Sequence, residues 1–226
     1  MDFVGIIASA PVTILLFLCM LSYVNKKQIA EKDGLKNKLI AAFPSDKTQK
    51  IYFSLYIIIC FGVILMLFLF YKRDFLFVIK RIAVMALLCP IAWIDKKEQI
   101  IPNVILLVGL IMKVVLLVAD AIFDFEKFKQ TLLPNLIATV IVFVLLMVFV
   151  LITRGGMGAG DIKLFTVMAL LLGSPSIFSI LFFTAFSSFF GAVSLLIARK
   201  KGKKDNIAFA PMIFAGTLIS MFVTGV

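Results

Sequence analysis

The sequence contains no histidine, only three cysteines and a single tryptophan. Without histidine there is no imidazole base, which excludes Ser-His and Cys-His nucleophile pairs and the usual histidine-containing zinc-hydrolase motifs. Cys19, Cys60 and Cys89 stand alone within apolar runs, and this pattern indicates neither a zinc cluster nor a disulfide framework. Hydrolytic chemistry, if present, therefore depends mainly on carboxylates, lysine or tyrosine, and no cofactor or metal is expected.

Charged residues are also scarce, at 15% of the chain, whereas hydrophobic residues make up 63% and the mean hydropathy is +1.15. No soluble domain of 226 residues can bury that much apolar surface. The composition therefore predicts an all-α, polytopic membrane helix bundle without a sizeable soluble domain. The net charge of +11 fits basic residues that flank membrane spans and attract anionic lipid, so no nucleic-acid partner is expected.

Apolar runs predict about eight membrane spans, six of them in a core that covers residues 75–226. The preceding region, 1–71, holds two spans joined by a short basic loop at 25–50. The predicted spans cover 3–24, 51–71, a third ending near 93–95, 100–119, 132–152, a short one at 161–172, 177–198 and 207–226. Residues 72–81 are predicted as an interfacial stretch leading into the third span, 95–99 as a tight polar turn and 120–130 as a mixed-charge loop.

The distribution of basic residues predicts the orientation of these spans. If the loops at 25–50, 95–99, 154–163 and 199–205 share one side of the membrane, that side holds 16 of the 23 Lys and Arg residues. The positive-inside rule then places these loops in the cytoplasm. The protein itself is expected in the inner or cytoplasmic membrane of the cell. The basic residues of 72–81 fall on the opposite side and fit this orientation least well.

A glycine-rich segment near residue 160 leads into an acid. Four glycines fall between Gly155 and Gly160, and Asp161 follows at the start of the next apolar run. Glycine permits tight turns and close approach of another main chain, and a carboxylate at the edge of a bilayer needs a partner, water or a function. The segment alone fits either a glycine hinge with an aspartate at the helix start or a functional acid.

A second acid occupies an equivalent position. With the predicted orientation, Asp95 and Asp161 both lie at cytoplasmic ends of spans and therefore at the same depth. Two carboxylates that share a water are the minimal apparatus of an aspartic protease: the ionised one takes a proton from the water, and the protonated one polarises the scissile carbonyl. Spacing alone leaves a pair of ordinary polar turns as an equal alternative.

The residues around both acids resemble a known family. The segments Asp95-Lys-Lys-Glu-Gln-Ile-Ile-Pro-Asn103 and Gly158-Ala-Gly-Asp-Ile-Lys-Leu164 are similar to the two active-site motifs of the type IV prepilin peptidases, which are membrane aspartic proteases of the Gly-x-Gly-Asp kind. A third segment, Ile207-Ala-Phe-Ala-Pro211, resembles the Pro-Phe-Gly-Pro-type sequence before the last span, with alanine at 208 and 210. The resemblance covers about residues 75 to 226.

The resemblance implies that Asp95 and Asp161 form the catalytic pair. It also implies cleavage of the basic leader of type IV pilin-like precursors on the cytoplasmic side, typically after a glycine. Gly158 and Gly160 would then leave room for an extended substrate backbone. Lys163 is expected either to stabilise the ionised pair or contact substrate, or else to serve as a plain interfacial anchor.

Three further residues are expected to shape the site. Pro102 and Asn103 would form the turn after the first acid, and a proline at a helix start beside an N-capping side chain fits the same two residues. Pro211 is expected to begin the last helix and to help pack the helices that bear the two acids.

The chain departs from many bacterial members of the family in one respect. Those members carry two Cys-x-x-Cys pairs in a cytoplasmic domain after the first span and also N-methylate the new pilin terminus. Residues 25–50 occupy that place, contain no cysteine and are short, so methylation is not expected. Short members serve Tad-type pili, competence pseudopili or archaeal flagellins, and the substrate stays open among these classes.

Two alternatives to a peptidase fit the sequence less well. A non-enzymatic transporter or pilus assembly subunit could use the two acids for ion contact, but paired broken helices at mid-membrane are not evident. An inactive scaffold homologue is disfavoured by the presence of both acids. Presenilin-type proteases share Gly-x-Gly-Asp, but the chain has no Tyr-Asp at the first acid and no Pro-Ala-Leu near the end.

Overall fold

A computed structural model describes residues 47–154, 156–197 and 208–225. Throughout these ranges the regular secondary structure is α-helical, which confirms the predicted all-α bundle. In chain order the helices are α1 (Lys47–Leu69), α2 (Phe75–Glu98), α3 (Asn103–Phe123), α4 (Phe125–Ile152), α5 (Ala159–Leu172), α6 (Ser176–Ile197) and α7 (Ala210–Thr224). The predicted first span, 3–24, and almost all of the basic loop at 25–50 lie outside the described residues.

Helix lengths and composition identify a multi-pass membrane protein. Five of the described helices are long and apolar enough to cross a bilayer: α1, α2, α3, α4 and α6. Helices α5 and α7 have 14 and 15 residues. At ~1.5 Å per residue they reach only about 21 and 23 Å, less than the ~30 Å hydrocarbon core.

Two predicted connections are wrong. The tight turn predicted at 95–99 is mostly helical, because Asp95 to Glu98 form the last turn of α2 and the chain turns at Gln99, which has φ 54°. The loop predicted at 120–130 is also helical, since α3 continues to Phe123 and α4 begins at Phe125. Charged residues in both stretches interrupt the apolar pattern, but charged residues are compatible with a helix that extends into the headgroup region.

The stretch at 72–81 is shorter than predicted. Helix α2 begins at Phe75, so only 70–74 connects α1 to α2, and the basic residues Lys80 and Arg81 lie within α2. Arg81 is 2% exposed, and its guanidinium carbon lies 3.2 Å from the centre of the Phe77 ring. Stacking on an aromatic face stabilises a cation in apolar surroundings.

The chain divides into two compact units, the first ending at Pro90 and the second beginning at Ile91. In the first unit, the Tyr52 hydroxyl on α1 donates a hydrogen bond to the Cys89 carbonyl on α2 at 3.1 Å. This bond satisfies a polar tyrosine group among apolar side chains.

In the second unit, the short helix α5 is central. It contacts α3, α4 and α6, and nine of its 14 residues are buried. Helices α3 and α4 are buried over only a small part of their length, which leaves their apolar outer faces for lipid. Helix α7 packs mainly on α6. The burial of α5 places its first turn, with Asp161, inside the unit.

The connection from α5 to α6 is held by a side chain of α4. Gly173 has φ 73°, and the adjacent Ser174 N–H donates to Asn135 Oδ1 at 3.1 Å. A side chain at residue 173 would collide with the Asn135 amide. Asn135 thus satisfies a backbone donor at the end of a helix too short to reach the far side of the membrane.

Candidate active site

Asp95 lies in the last turn of α2 and is 6% exposed. Its Oδ2 atom accepts a buried hydrogen bond of 2.9 Å from the backbone N–H of Ala210, the first residue of α7. The first N–H groups of a helix have no partner within the helix, and Pro211 at the second position has no N–H at all. Asp95 therefore fills a place that a capping side chain would otherwise occupy.

Asp161 lies in the first turn of α5 and is 9% exposed. Burial, followed by the charge of nearby Asp95, raises the pKa of Asp161 to about 6, and a backbone hydrogen bond from Gly158 acts in the opposite direction. The end of α2 and the start of α5 thus bring the two carboxyl groups within electrostatic reach of each other.

Gly158 and Gly160, which precede Asp161, each lie close to another residue of the site. A Cβ at Gly158 would lie 3.1 Å from Asp161 Oδ2, and a Cβ at Gly160 would lie 3.1 Å from Cβ of Ile101. Ile101 belongs to the turn that follows α2. Glycine at 160 therefore allows the segment bearing Asp161 to approach the turn after Asp95 closely.

The segment before α7 also packs beside the acids. The Phe209 ring lies 6.4 Å, centre to centre, from the ring of Phe165, which is one turn beyond Asp161 on α5. Three segments distant in sequence converge here: the end of α2 with its following turn, the start of α5, and the start of α7. The convergence produces two buried carboxyl groups. Asp95 receives the Ala210 N–H, and Asp161 is destabilised as an anion in spite of its backbone hydrogen bond from Gly158.

The family model for type IV leader peptidases matches residues 82–196. The chain belongs to the type IV leader peptidase family. The matched range contains both acids of this family member and ends before Ala210. A curated protein of Bacillus subtilis (strain 168), "Prepilin leader peptidase/N-methyltransferase", is 38% identical over 79 residues. That alignment covers 34% of this chain and 32% of the relative, so the shared part is under a third of the relative's length. No solved structure is significantly similar to the chain.

The remaining predicted site residues lie on the turn after α2 and on the first turns of α3, α5 and α7. Lys163 donates from Nζ to Asn103 Oδ1 at 3.4 Å, which joins the first turn of α5 to the first residue of α3. Pro102 is the N-cap of α3, with extended backbone angles and no side-chain capping bond. Asn103 thus bonds a lysine rather than capping its own helix, and Pro211 lies at the start of α7 as expected.

Sequence reasoning missed two contacts of this candidate site. Ala210 carries no functional side chain, and its contribution is a backbone N–H. The proline at 211 signals a helix start, and hence free N–H groups, but nothing in the sequence pairs them with an acid 115 positions earlier. Ile101 is an ordinary apolar residue whose packing on Gly160 has no local sequence signal.

Proposed function

We propose that this protein is a membrane aspartic endopeptidase that removes the leader peptide of type IV pilin-like precursors, with Asp95 and Asp161 as the catalytic pair. The observation that carries the proposal is the burial of these two carboxyl groups within electrostatic reach of each other, in the matched part of a leader peptidase family member. Two close carboxylates cannot both ionise cheaply, so the pair retains one proton over a range of pH.

The pair supplies what amide hydrolysis requires. A water held between the two groups loses a proton to the ionised carboxylate as its oxygen attacks the scissile carbonyl carbon. The protonated carboxyl group gives its proton to the carbonyl oxygen, which forms a neutral tetrahedral diol. The diol then collapses: the C–N bond breaks, the leaving nitrogen receives the first proton, and a diol hydroxyl returns the second to the pair.

The family of this chain suggests the substrate class. The B. subtilis relative is named as a prepilin leader peptidase, and we extend that activity to prepilin-like, pseudopilin-like or preflagellin-like substrates of this protein. We place the protein in the inner or cytoplasmic membrane with the pair facing the cytoplasm, because 16 of 23 Lys and Arg residues fall on that side in the predicted orientation.

We propose that the protein does not methylate the processed substrate. The relative's name includes an N-methyltransferase activity, but the alignment covers only 32% of the relative. Residues 25–50 of this chain contain no cysteine and are short compared with the cysteine-bearing domain that accompanies methylation in the family.

Replacement of either acid tests the peptidase. We expect Asp95→Asn and Asp161→Asn each to reduce leader removal from a co-expressed prepilin-like precursor by at least about three orders of magnitude. The reason is that the attack step needs one group to accept a proton while the other donates one. The measurement is the mass of the precursor and its product, at matched amounts of membrane-inserted protein. The same spectra show whether the new terminus gains a methyl group.

Asp124→Asn is the matched control, since it makes the same chemical change at the exposed residue between α3 and α4. It should leave cleavage unchanged. Near-normal processing by either Asp95→Asn or Asp161→Asn would refute the catalytic pair. A methylated terminus that depends on this protein alone would refute the proposal on methylation.

A further inference from the structure

The two carboxyl groups of the site are not equivalent. Asp95 receives the Ala210 N–H at 2.9 Å in a buried hydrogen bond, whereas burial and the charge of Asp95 raise the pKa of Asp161 in spite of a backbone hydrogen bond from Gly158. A hydrogen bond from a backbone N–H favours the ionised form of a carboxyl group, and burial near a like charge favours the protonated form.

The donor to Asp95 is also the start of a helix. Ala210 is the first residue of α7, so the positive end of the helix dipole faces the Asp95 carboxylate. Helix α7 carries no charged side chain of its own. The hydrogen bond and the α7 dipole both favour negative charge at Asp95. Two other helix dipoles oppose this order, because Asp95 lies in the last turn of α2 and Asp161 in the first turn of α5. The direct buried hydrogen bond to Asp95 and the burial of Asp161 therefore carry the order.

The other charged groups on the elements that form the site are held elsewhere. Lys163 on α5 bonds Asn103, and Lys97 on α2 lies 4.6 Å from the centre of the Trp93 ring. Lys96 and Glu98 are exposed at the end of α2, and Lys113 and Asp120 lie ten and 17 residues into α3, about 15 and 26 Å along its axis from Asn103. The Ala210 N–H at Asp95 and the burial of Asp161 are therefore the features that distinguish the two acids.

We infer that the pair has fixed roles: Asp95 is the ionised general base, Asp161 holds the proton and acts as the general acid, and the backbone N–H of Ala210 is the positioning group that sets this order. The inference rests on the proposed function for its catalytic meaning, but the location of the proton is a property of the resting protein. In the first step, Asp95 takes the proton of the attacking water and Asp161 gives its proton to the carbonyl oxygen. In the second, Asp95 returns its proton to the leaving nitrogen, and Asp161 recovers one from the diol.

Infrared spectroscopy of the purified protein locates the proton without substrate. With isotope-labelled aspartate, and at a pH one unit below the Asp161 pKa of about 6, the wild-type protein should show the carbonyl band of a protonated carboxyl group. We expect the band to persist in Asp95→Asn, because burial, the larger cause of the raised pKa of Asp161, is unchanged; it should be weaker than in the wild type, because the charge of Asp95 is gone. In Asp161→Asn the band should be lost. Loss of the band in Asp95→Asn and its persistence in Asp161→Asn would overturn the inference.

A second experiment removes the positioning donor. Ala210→Pro deletes an N–H that favours the ionised form of the base, so the acidic limb of the pH–rate profile, which reports protonation of the base, should move to higher pH. Proline also disfavours the helical angles of Phe209 (φ −92°, ψ −30°), so the rate falls in any case and the position of the limb is the decisive readout. An acidic limb that stays in place would contradict the role of Ala210.

Two variants keep the N–H and serve as controls. Ala210→Gly removes only the methyl group, and Pro211→Ala removes the helix-start proline; both should keep the acidic limb where it is in the wild-type protein. The infrared comparison changes nothing in α7, so it decides the assignment even where the Ala210→Pro protein does not accumulate. If the proton lies on Asp161 but no prepilin is cleaved, the assignment of the proton stands and the proposed peptidase falls.

Discussion

Gly160 is packed so closely against Ile101 that one added methyl group changes the geometry of the site. In Gly160→Ala the new Cβ would lie 3.1 Å from Cβ and 3.4 Å from Cγ1 of Ile101, so the turn after Asp95 must move by a few tenths of an ångström. Displacements near 1 Å can cost two orders of magnitude in rate, and we expect leader cleavage to fall about tenfold. Cleavage is measured at matched protein levels.

Two further variants separate packing from substrate approach. Gly62→Ala on α1 adds a methyl group where nothing lies within 4 Å, so its rate of leader cleavage should be close to that of the wild type. Ile101→Ala removes two of the three atoms nearest to the new methyl group, so the double variant Gly160→Ala/Ile101→Ala should recover part of the lost activity. Absence of recovery would favour the original expectation, that the space at Gly160 serves the substrate backbone.

The raised pKa of Asp161 has a consequence for stability. Since burial and Asp95 raise this pKa from 3.8 to about 6, the folded protein binds the proton more tightly than the unfolded chain does. The resulting stability is fully present below about pH 4 and is lost as the pH rises through about 6. Asp161→Asn is neutral at every pH, so its melting temperature relative to wild type should increase between pH 4 and pH 7.

Melting of the detergent-solubilised proteins across this pH range measures the difference. Asp124→Asn, at an exposed position, is the control and should follow the wild-type curve. A constant difference in melting temperature between Asp161→Asn and wild type at all pH values would contradict this prediction. It would show that Asp161 ionises as readily in the folded protein as in the unfolded chain.

At the residue scale the sequence was informative about the candidate reacting groups and silent about the residues that contact them. The absence of histidine and the flanking motifs selected Asp95 and Asp161, because acids beside membrane spans are rare and costly. Their hydrogen-bond and packing partners, Ala210 and Ile101, are small or apolar residues of common types. Tertiary contacts of such residues have no local signature in the sequence. The different roles that we infer for the two acids could therefore not be predicted.

At the scale of elements, the pair α6 and α7 depends on a glycine at their contact. A Cβ at Gly216 of α7 would lie 2.5 Å from both the Cα and the N atoms of Thr184 on α6. Backbone cannot move aside as a side chain can, so Gly216→Ala should lower the free energy of unfolding by about 1–3 kcal/mol. Denaturant-induced unfolding in mixed micelles provides the measurement.

Gly191→Ala is a matched control between the same two helices. There the added Cβ would meet the Cε and Sδ atoms of Met212, the flexible end of a side chain that can rotate away. Its destabilisation should be clearly smaller than that of Gly216→Ala. Equal losses of unfolding free energy in Gly216→Ala and Gly191→Ala would contradict this. They would indicate that the backbones of α6 and α7 can move apart at Gly216 as easily as the Met212 side chain moves at Gly191.

Apolar periodicity predicted the helices well and their ends poorly. The six helices predicted for 75–226 all occur in the described part of that region, since long apolar runs have few alternatives in a membrane. The errors at 95–99 and 120–130 have one cause: charged residues end a hydrophobic run but do not end a helix. Asp95 consequently projects from a regular helix, which fixes its position more firmly than a turn would.

At the scale of the whole molecule, the proposed orientation predicts which surfaces are accessible from each side. In a variant whose native cysteines are replaced by alanine, Lys97→Cys lies beside the site and Glu126→Cys lies at the start of α4, beyond the far end of α3. A membrane-impermeant maleimide should label Glu126→Cys in intact cells and Lys97→Cys only in inverted vesicles. The reverse pattern would place the site outside the cytoplasm.

Composition determined the class of molecule more firmly than it determined the arrangement of helices. A mean hydropathy of +1.15 leaves little choice but a membrane bundle. The central position of α5 was not foreseen, because its 14 residues contain no feature that separates a buried short helix from an incomplete span.

The hydrogen bond between Ala210 and Asp95 links the chemistry to the order of biosynthesis. A chain emerging from the ribosome presents Asp95 and then Asp161 to the membrane before the start of α7 exists. The nascent protein thus holds both acids without the group that distinguishes them, and it matures into an ordered pair only when the last of the described helices is inserted. On the proposed assignment, the ordered pair therefore forms late, once α7 is in place, and not while the helices that bear the acids are being inserted.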